Sequence, residues 1–253
     1  GCLSLPAAAQ AYPTKPIRLV VPFGAGGVAD LTARTVAQKM AEGLGHSVVI
    51  DNKPGAGGVV AGDAVAKAAP DGYTLLLMSN GTAVSAGLFK SLPFDTAKDF
   101  APVSTLGFFD LSIVVADNSR FKTLGELLAY ARANPGKLNV GTINVGSTQN
   151  LAAELFKTSA GVDVQVVPFN GTPAVITALR GGQIDAAVEI LSPVVPQSNA
   201  RALRALAVMG AKRSATFPDV PTVAESGLKG FNVASWNAVA APAKTPAAVV
   251  QRL

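Results

Sequence analysis

The sequence is poor in the residues that carry covalent and metal chemistry. Its 253 residues include one cysteine, Cys2, and one histidine, His46. An intramolecular disulfide is therefore excluded, as are the usual zinc and haem ligand sets. Charged residues make up only 15% against 49% apolar, which excludes a disordered, highly charged chain. Even so, no apolar run reaches the roughly 18 to 20 residues of a membrane span. Lys and Arg total 21 against 16 Asp and Glu, but they are scattered and form no nucleic-acid stripe. The net charge of +5 either favours encounter with anions or only keeps the protein soluble. Nucleophile chemistry is equally thin. There is no G-x-S-x-G elbow, and Asp163, Asp185 and Glu189 do not form a paired acid and base. No catalytic residue, cofactor or metal is assigned.

What is present is a near-regular alternation of strand and helix. Apolar runs at 17–21, 47–51, 74–78, 111–116, 138–141, 164–168, 184–188, 203–208 and 234–240 read as strands. Helical patterns fall at 28–44, 57–68, 81–89, 124–133, 148–159, 172–180 and 246–253. This order predicts an α/β protein with mixed, mostly parallel sheets covered by helices on both faces. Two Pro-containing stretches, 91–105 and 210–222, interrupt the rhythm and read as connections between lobes. Residues 12–105 and 222–253 then form one lobe and 106–221 the other, with a hinge of two crossings and a ligand cleft between them. Residues 1–11 end in Ala9-Gln10-Ala11, the pattern of a signal-peptide cleavage site. They are read as the remnant of a cleaved export signal, with a flexible terminus or a lipoprotein signal at Cys2 as alternatives. At the other end, Thr245-Pro246 starts a helix as N-cap and first residue. That helix stops at Leu253, and the chain reads as a fragment at both ends.

The chemistry lies in the turns after the strands. The stretch VPFGAGGVAD, Val21 to Asp30, fits G-x-G-x-x-A, and Asp51 ends a second apolar run, so it matches a dinucleotide fingerprint on paper. Against that, Pro22-Phe23 separates the strand from the first glycine, and GAGG recurs at 55–58. Further turns of the same kind are Ser79-Asn80-Gly81, Gly141-Thr142, Gly146-Ser147-Thr148 and Phe169-Asn170-Gly171-Thr172. All lie at carboxyl ends of predicted strands, where open α/β sheets bind ligands. Free backbone N–H groups, hydroxyls and helix starts on both sides of a cleft suit a carboxylate. Any one of these turns is equally a cap required by an α/β fold. Trp236 and the aromatics Phe23 and Phe169 are either core residues or walls of the cleft.

The motifs VPFGAGGVAD, DNKPGAGG, APDGYTLLL, LPFDTAKDFAPVSTLG, VPFNGTPAVITALRGGQIDAA, LRALAVMGAKRSATFPDVPTVAESGLKGF and ASWNAVAAPAKTP together resemble the tripartite tricarboxylate transporter substrate-binding proteins, the Bug or TctC-like family. The resemblance runs from Tyr12 to Leu253. It implies a type II periplasmic binding protein fold without enzyme activity or cofactor. The expected protein is periplasmic and monomeric, closes on a small organic carboxylate and delivers it to integral membrane transporter subunits. Family ligands are di- and tricarboxylates, acidic amino acids and aromatic acids, and some members feed two-component sensors. Position by position, the resemblance implies contacts from Phe23, Ala25, Gly26, Gly27, Asp30, Ser79 and Asn80 in the first lobe. It implies Thr142, Gly146, Ser147, Gln149, Phe169, Gly171, Thr172 and Glu189 in the second, and Trp236 from the returning segment. Four places depart from the family pattern: Asn150 stands for a usual His, Phe169-Asn170 for Tyr-Lys, Glu189-Ile190 for Asp-Asn, and Asn237 for an aromatic. These departures bear on the distal end of the ligand, so no particular ligand is carried over. An NAD(P)-dependent oxidoreductase using the first GAGG turn and a carboxylate sensor feeding a two-component system are the competing readings.

Overall fold

The computed structural model describes residues 12–253; the export-signal reading of 1–11 and Cys2 lie outside the described residues. The chain begins with β1 (Ile17–Val21), α1 (Val28–Leu44), β2 (Val48–Asn52), a 3-10 turn at Ala56–Gly58, α2 (Val59–Ala66), β3 (Thr74–Ser79) and α3 (Asn80–Leu88). A 17-residue strand, β4 (Phe100–Ala116), follows. Next come α4 (Leu124–Ala133), β5 (Asn139–Ile143), α5 (Thr148–Ala160), β6 (Gln165–Phe169), α6 (Thr172–Arg180), β7 (Ala186–Ile190), α7 (Leu191–Asn199) and β8 (Leu203–Val208). The described chain closes with β9 (Ala234–Pro242) and α8 (Ala247–Arg252).

The strands join in the order β2-β1-β3-β9-β4-β7-β5-β6, with β8 on β4. The α/β reading stands. The sheet is mixed: β1 pairs in parallel with β2 and β3, and β5 with β6 and β7, while β9 and β4 make the antiparallel pairs. β4 is the element that joins two groups of strands. Its first part, Phe100 to Asp110, pairs with β9, and from Leu111 onward it pairs with β7 and β8. The residues explain the change of environment. Leu111 to Val115 is a continuously buried run, apolar except for Ser112, and flanked on both sides, whereas 101–110 is half-exposed.

Two features were hidden by proline. The stretch 91–105, expected as irregular, is strand from Phe100 on. Pro102, which cannot donate to a ladder, lies beside a register shift between Pro102 and Ser104, and a second shift falls between Thr105 and Gly107. α7 was unmarked in the sequence because it contains Pro193 and Pro196. Pro193 occupies the first turn, where a missing N–H costs nothing, although Pro196 lies inside the helix. At the last helix, the N-cap is Pro246 rather than Thr245. Residues 221–233 carry no strand but stay tied to the second group, through Val208 N–H to the Pro221 carbonyl, Val223 N–H to the Val208 carbonyl and Val233 N–H to the Met209 carbonyl.

Apolar residues fill both faces of the second group. One face packs Leu111, Ile113, Val140 and Val188 under α4 and α5, with Leu127 and Phe156 inserted. The other cluster runs without a break into the first group, joining Val114, Val175 and Ala187 to Phe23, Val21, Leu19 and Leu77. Phe156 is fully buried and meets Phe231 edge to face at 6.3 Å between ring centres. Phe156→Ala is expected to cost about 3–5 kcal/mol of stability through lost transfer energy and a residual cavity. Denaturant unfolding of the two proteins measures it.

Candidate functional site

Two turns, one in each group, are built alike. In the first, Gly26 adopts φ +83° and its N–H donates to Oδ2 of Asp30 at 2.9 Å, four residues on in the first turn of α1. In the second, Gly146 adopts φ +82° and its N–H donates to Oδ1 of Asn150 at 3.2 Å, again four residues on, in the first turn of α5. A left-handed residue is needed to turn the chain from strand into helix, and glycine takes it without strain. The side chain in the first turn then fixes the bend.

Each staple is braced from behind. Oδ1 of Asp30 accepts from Nδ2 of Asn52 at 3.0 Å, and the same Nδ2 donates to the Phe23 carbonyl at 3.0 Å. Arg34 donates to Oδ2 of Asp30 at 3.0 Å. Burial alone would raise the Asp30 carboxyl; the donors Arg34, Gly26 and Asn52 and the Arg34 charge outweigh it and hold the carboxyl below its ordinary range. In the second turn, Nδ2 of Asn150 donates to Oγ1 of Thr142 at 3.2 Å, and Oγ of Ser147 caps α5 by accepting from Asn150 N–H at 3.1 Å. Asp30, Gly26, Thr142, Gly146 and Ser147 thus hold the turns in shape, and the Gly26 and Gly146 N–H groups are taken up within the protein.

The turns of the two groups meet. The first GAGG turn lies against the start of α6: a Cβ on Gly24 would stand 3.0 Å from the Asn170 carbonyl oxygen. The second GAGG turn lies against the start of α5, with Gly57 beside the Val145 carbonyl. At Gly81, in the first turn of α3, a Cβ would overlap the Gly146 carbonyl oxygen, so only glycine fits. Asn80 bridges the same seam. Its Oδ1 accepts from Thr148 Oγ1 at 3.1 Å and from Trp236 N–H at 3.0 Å, and its Nδ2 donates to the Ala234 carbonyl at 3.1 Å.

Between these contacts lies a small cavity. Phe23, Gly24, Gly27, Val28, Ala29, Ser79, Ser235 and Asn237 line it from the first group, and Ile143, Thr148, Gln149, Gly171, Thr172 and Ile190 from the second. The first residues of α1, α5 and α6 line it, and among the described residues the N–H groups of Val28, Ala29, Thr148, Gln149 and Thr172 find no acceptor. Those N–H groups and the helix starts give the cavity a positive potential without a Lys or Arg in its wall. Oγ of Ser79 is buried and unpartnered. The cavity is small, about 30 Å³ with the two groups in contact, so they must part to admit a dicarboxylate.

Of the residues expected from sequence, Phe23, Gly27, Ser79, Gln149, Gly171 and Thr172 line this cavity. Ala25 is exposed, and Phe169 packs in the shared apolar cluster. Trp236 lies apart from the cavity: its side chain is in a groove with Met78, Pro102 and Phe108, while Ser235 and Asn237 face the cavity. The reason is the two-residue period of a strand, which turns neighbours to opposite faces. Sequence reasoning also missed Val28, Ala29, Ile143 and Ile190. The signal for the first two was available, since the first helical residues after a glycine turn carry the unbonded N–H groups.

Glu189 stands behind the wall. It is 1% exposed, and its Oε2 accepts from Gln149 Nε2 at 3.3 Å, Thr172 Oγ1 at 3.2 Å and Ile190 N–H at 3.2 Å. Burial pushes its carboxyl up to about 7, against the pull of Gln149, Ile190 and Thr172. Asp51, the acid of the dinucleotide fingerprint, pairs with Arg18 and Lys53, each at 3.5 Å.

Known proteins share this fold. The family model described as tripartite tricarboxylate transporter family receptor, TctC, matches residues 32–253. Three solved structures are similar. Rpa4515 of R. palustris with adipate has TM-score 0.90 and 36% identity, covering 94% of this chain and 80% of that one. The periplasmic binding protein BugD has TM-score 0.90 and 34% identity, covering 95% and 81%. MatC of Rhodopseudomonas palustris with bound malate has TM-score 0.89 and 35% identity, covering 95% and 82%. The family model spans most of the chain and the solved structures cover 94–95% of it: the chain belongs to the tripartite tricarboxylate transporter receptor family, whose fold is that of the periplasmic binding proteins.

Proposed function

We propose that this protein captures a small organic carboxylate in the cavity between its two strand groups and delivers it to the membrane subunits of a tripartite transporter. The observation that carries the reading is the set of unbonded N–H groups at the starts of α1, α5 and α6, converging on a cavity with no cationic side chain in its wall. A carboxylate satisfies several such donors at once and is favoured by the helix ends. Malate and adipate, the acids named with MatC and Rpa4515, set the size class. The protein works as a monomer in the periplasm, where no helix among the described residues is long and apolar enough to cross the membrane. The two groups move as lobes, with β4 and the segment leading into β9 as the crossings, and close on the ligand along the glycine seam. The dinucleotide reading has less support: the second group occupies the approach to Gly24, and Asp51 is engaged by two cations.

A thermal-shift screen against organic acids and nicotinamide nucleotides tests this. A carboxylate at a hundred times its Kd stabilises by about 2.7 kcal/mol, a rise of roughly 5–10 °C in a domain of this size. A shift with a nucleotide and none with any acid would sink the proposal.

Gly81→Ala separates closure from folding. The added methyl overlaps the Gly146 carbonyl only when the groups meet, so it should cost the closed state about 1–3 kcal/mol, a loss of affinity of roughly 5- to 150-fold. Calorimetric titration should show that loss with little change in the unfolding midpoint without ligand.

Asp30→Asn tests the first staple. The Asp30 carboxyl is held below its ordinary range, so its contribution is present at neutral pH and is lost as the pH falls through the lowered folded value. The variant should be less stable by about 1–3 kcal/mol at neutral pH, with weaker ligand binding, and the stability gap should close in strong acid. Unfolding midpoints across pH would check it.

A further inference from the structure

The cavity wall rests on a buried carboxyl that no cation neutralises. Oε2 of Glu189 receives three donors, from Gln149, Thr172 and Ile190, and all three of those residues line the cavity. Oε1 is buried and has no hydrogen-bond partner among the described residues. The elements packed on β7 bring no compensating charge. α5 opens with Thr148-Gln149-Asn150, and its first charge is the exposed Glu154. The one charge of α6 is Arg180 at its far end, and α7 and β5 have none. On β4, Asp110 is exposed at the edge of the pairing. At the other end of β7, Asp185 accepts from Asn139 N–H. Across the cavity, Asp30 is already paired with Arg34.

An incoming carboxylate therefore places a second negative charge near the first inside a closed, poorly solvated space. Two such charges cannot both persist at low cost, and one site of the pair protonates. We propose that Glu189 sets the charge the site accepts: capture of a carboxylate anion is accompanied by uptake of one proton onto Oε1 of Glu189. The proton comes from solvent and no bond is broken. Oε2 is filled by its three donors, which leaves Oε1 as the place for it. Because Glu189 stands behind the lining residues, a proton reaches it where a ligand ammonium would not. Glu189 is a positioning residue here: neutral, it still accepts from Gln149 and Thr172 and keeps both side chains in the wall. Burial has already brought its carboxyl to about 7, so the further push of an anion carries it across neutral pH.

The inference rests on the carboxylate reading of the cavity, and calorimetry with malate and adipate as probes separates the two. Titrations at about pH 8, in buffers of different ionisation enthalpy, should show uptake approaching one proton per ligand, and at about pH 6 uptake close to zero. Affinity should fall about tenfold per pH unit above about 7. Glu189→Gln should bind without proton uptake at about pH 8 and with a flat pH profile. Binding with no uptake by the wild type, or with equal uptake by Glu189→Gln, overturns the role of Glu189 and leaves the carboxylate reading standing. No binding of any organic acid overturns both. A further check needs no ligand. The raised carboxyl stabilises the folded wild type at low pH, and that contribution is lost as pH rises through about 7. The wild-type unfolding midpoint should therefore fall between about pH 5 and pH 8 relative to Glu189→Gln, and parallel curves would count against the proposal.

Discussion

Backbone meets backbone across the seam between the two strand groups, and the site exists because of that contact. A side chain at Gly24 or Gly81 would hold the groups apart by the width of a methyl. With glycine there, the starts of α1, α5 and α6 come close enough for their unbonded N–H groups to face one small space. A site made of main-chain donors needs this approach, because N–H groups cannot reach as a lysine can. The same feature that excludes a bulky residue from the seam also excludes a fixed cation from the wall. The positive potential is then spread over several partial charges.

The repeated GAGG gains its meaning from this seam. The turns at 24–27 and 55–58 face different partners, the start of α6 and the start of α5. Both are contact points of the seam, and the first also lines the cavity through Gly24 and Gly27. The stapled turns at Gly26–Asp30 and Gly146–Asn150 provide a matching logic within each group. In both, an acceptor in the first helical turn fixes the bend, so the outward N–H groups point at the cavity without having to be ordered by a ligand. The first staple is charged and braced by Arg34 and Asn52; the second is neutral and braced by Thr142. Asn150 accepts the equivalent bond through a neutral amide oxygen, at 3.2 Å against 2.9 Å for Asp30.

Much of the site was legible because glycine, hydroxyl and helix-start residues cluster after strands for few physical reasons. Phe23, Gly27, Ser79, Gln149, Gly171 and Thr172 were expected and line the cavity. Others were expected at the right turn in a different role. Gly26 was read as offering a free N–H, but Asp30 takes it. Asn80 was read as a ligand contact, but it ties the seam through Thr148 and Trp236. Trp236 drew attention because it is large and single, yet its small neighbours Ser235 and Asn237 face the cavity. Residue type suggests which groups can bind; strand phase and bonding partners decide which are free to.

The sequence by itself determined the alternation of strands and helices, the scarcity of cysteine and histidine, and the positions of the turns. The alternation and the turns follow from local rules: apolar period and cap chemistry. Only the tertiary structure decided that β4 would run through two Pro- and Gly-marked register shifts to serve both groups, that α7 would form around its prolines, and that an isolated glutamate would end up buried behind the cavity. Each of these depends on partners far away in the chain. A proline is tolerated or not according to whether its missing N–H was needed. A carboxyl is ordinary in water and a proton acceptor near neutral pH in a closed wall, and the enclosing residues, not the glutamate, make that difference.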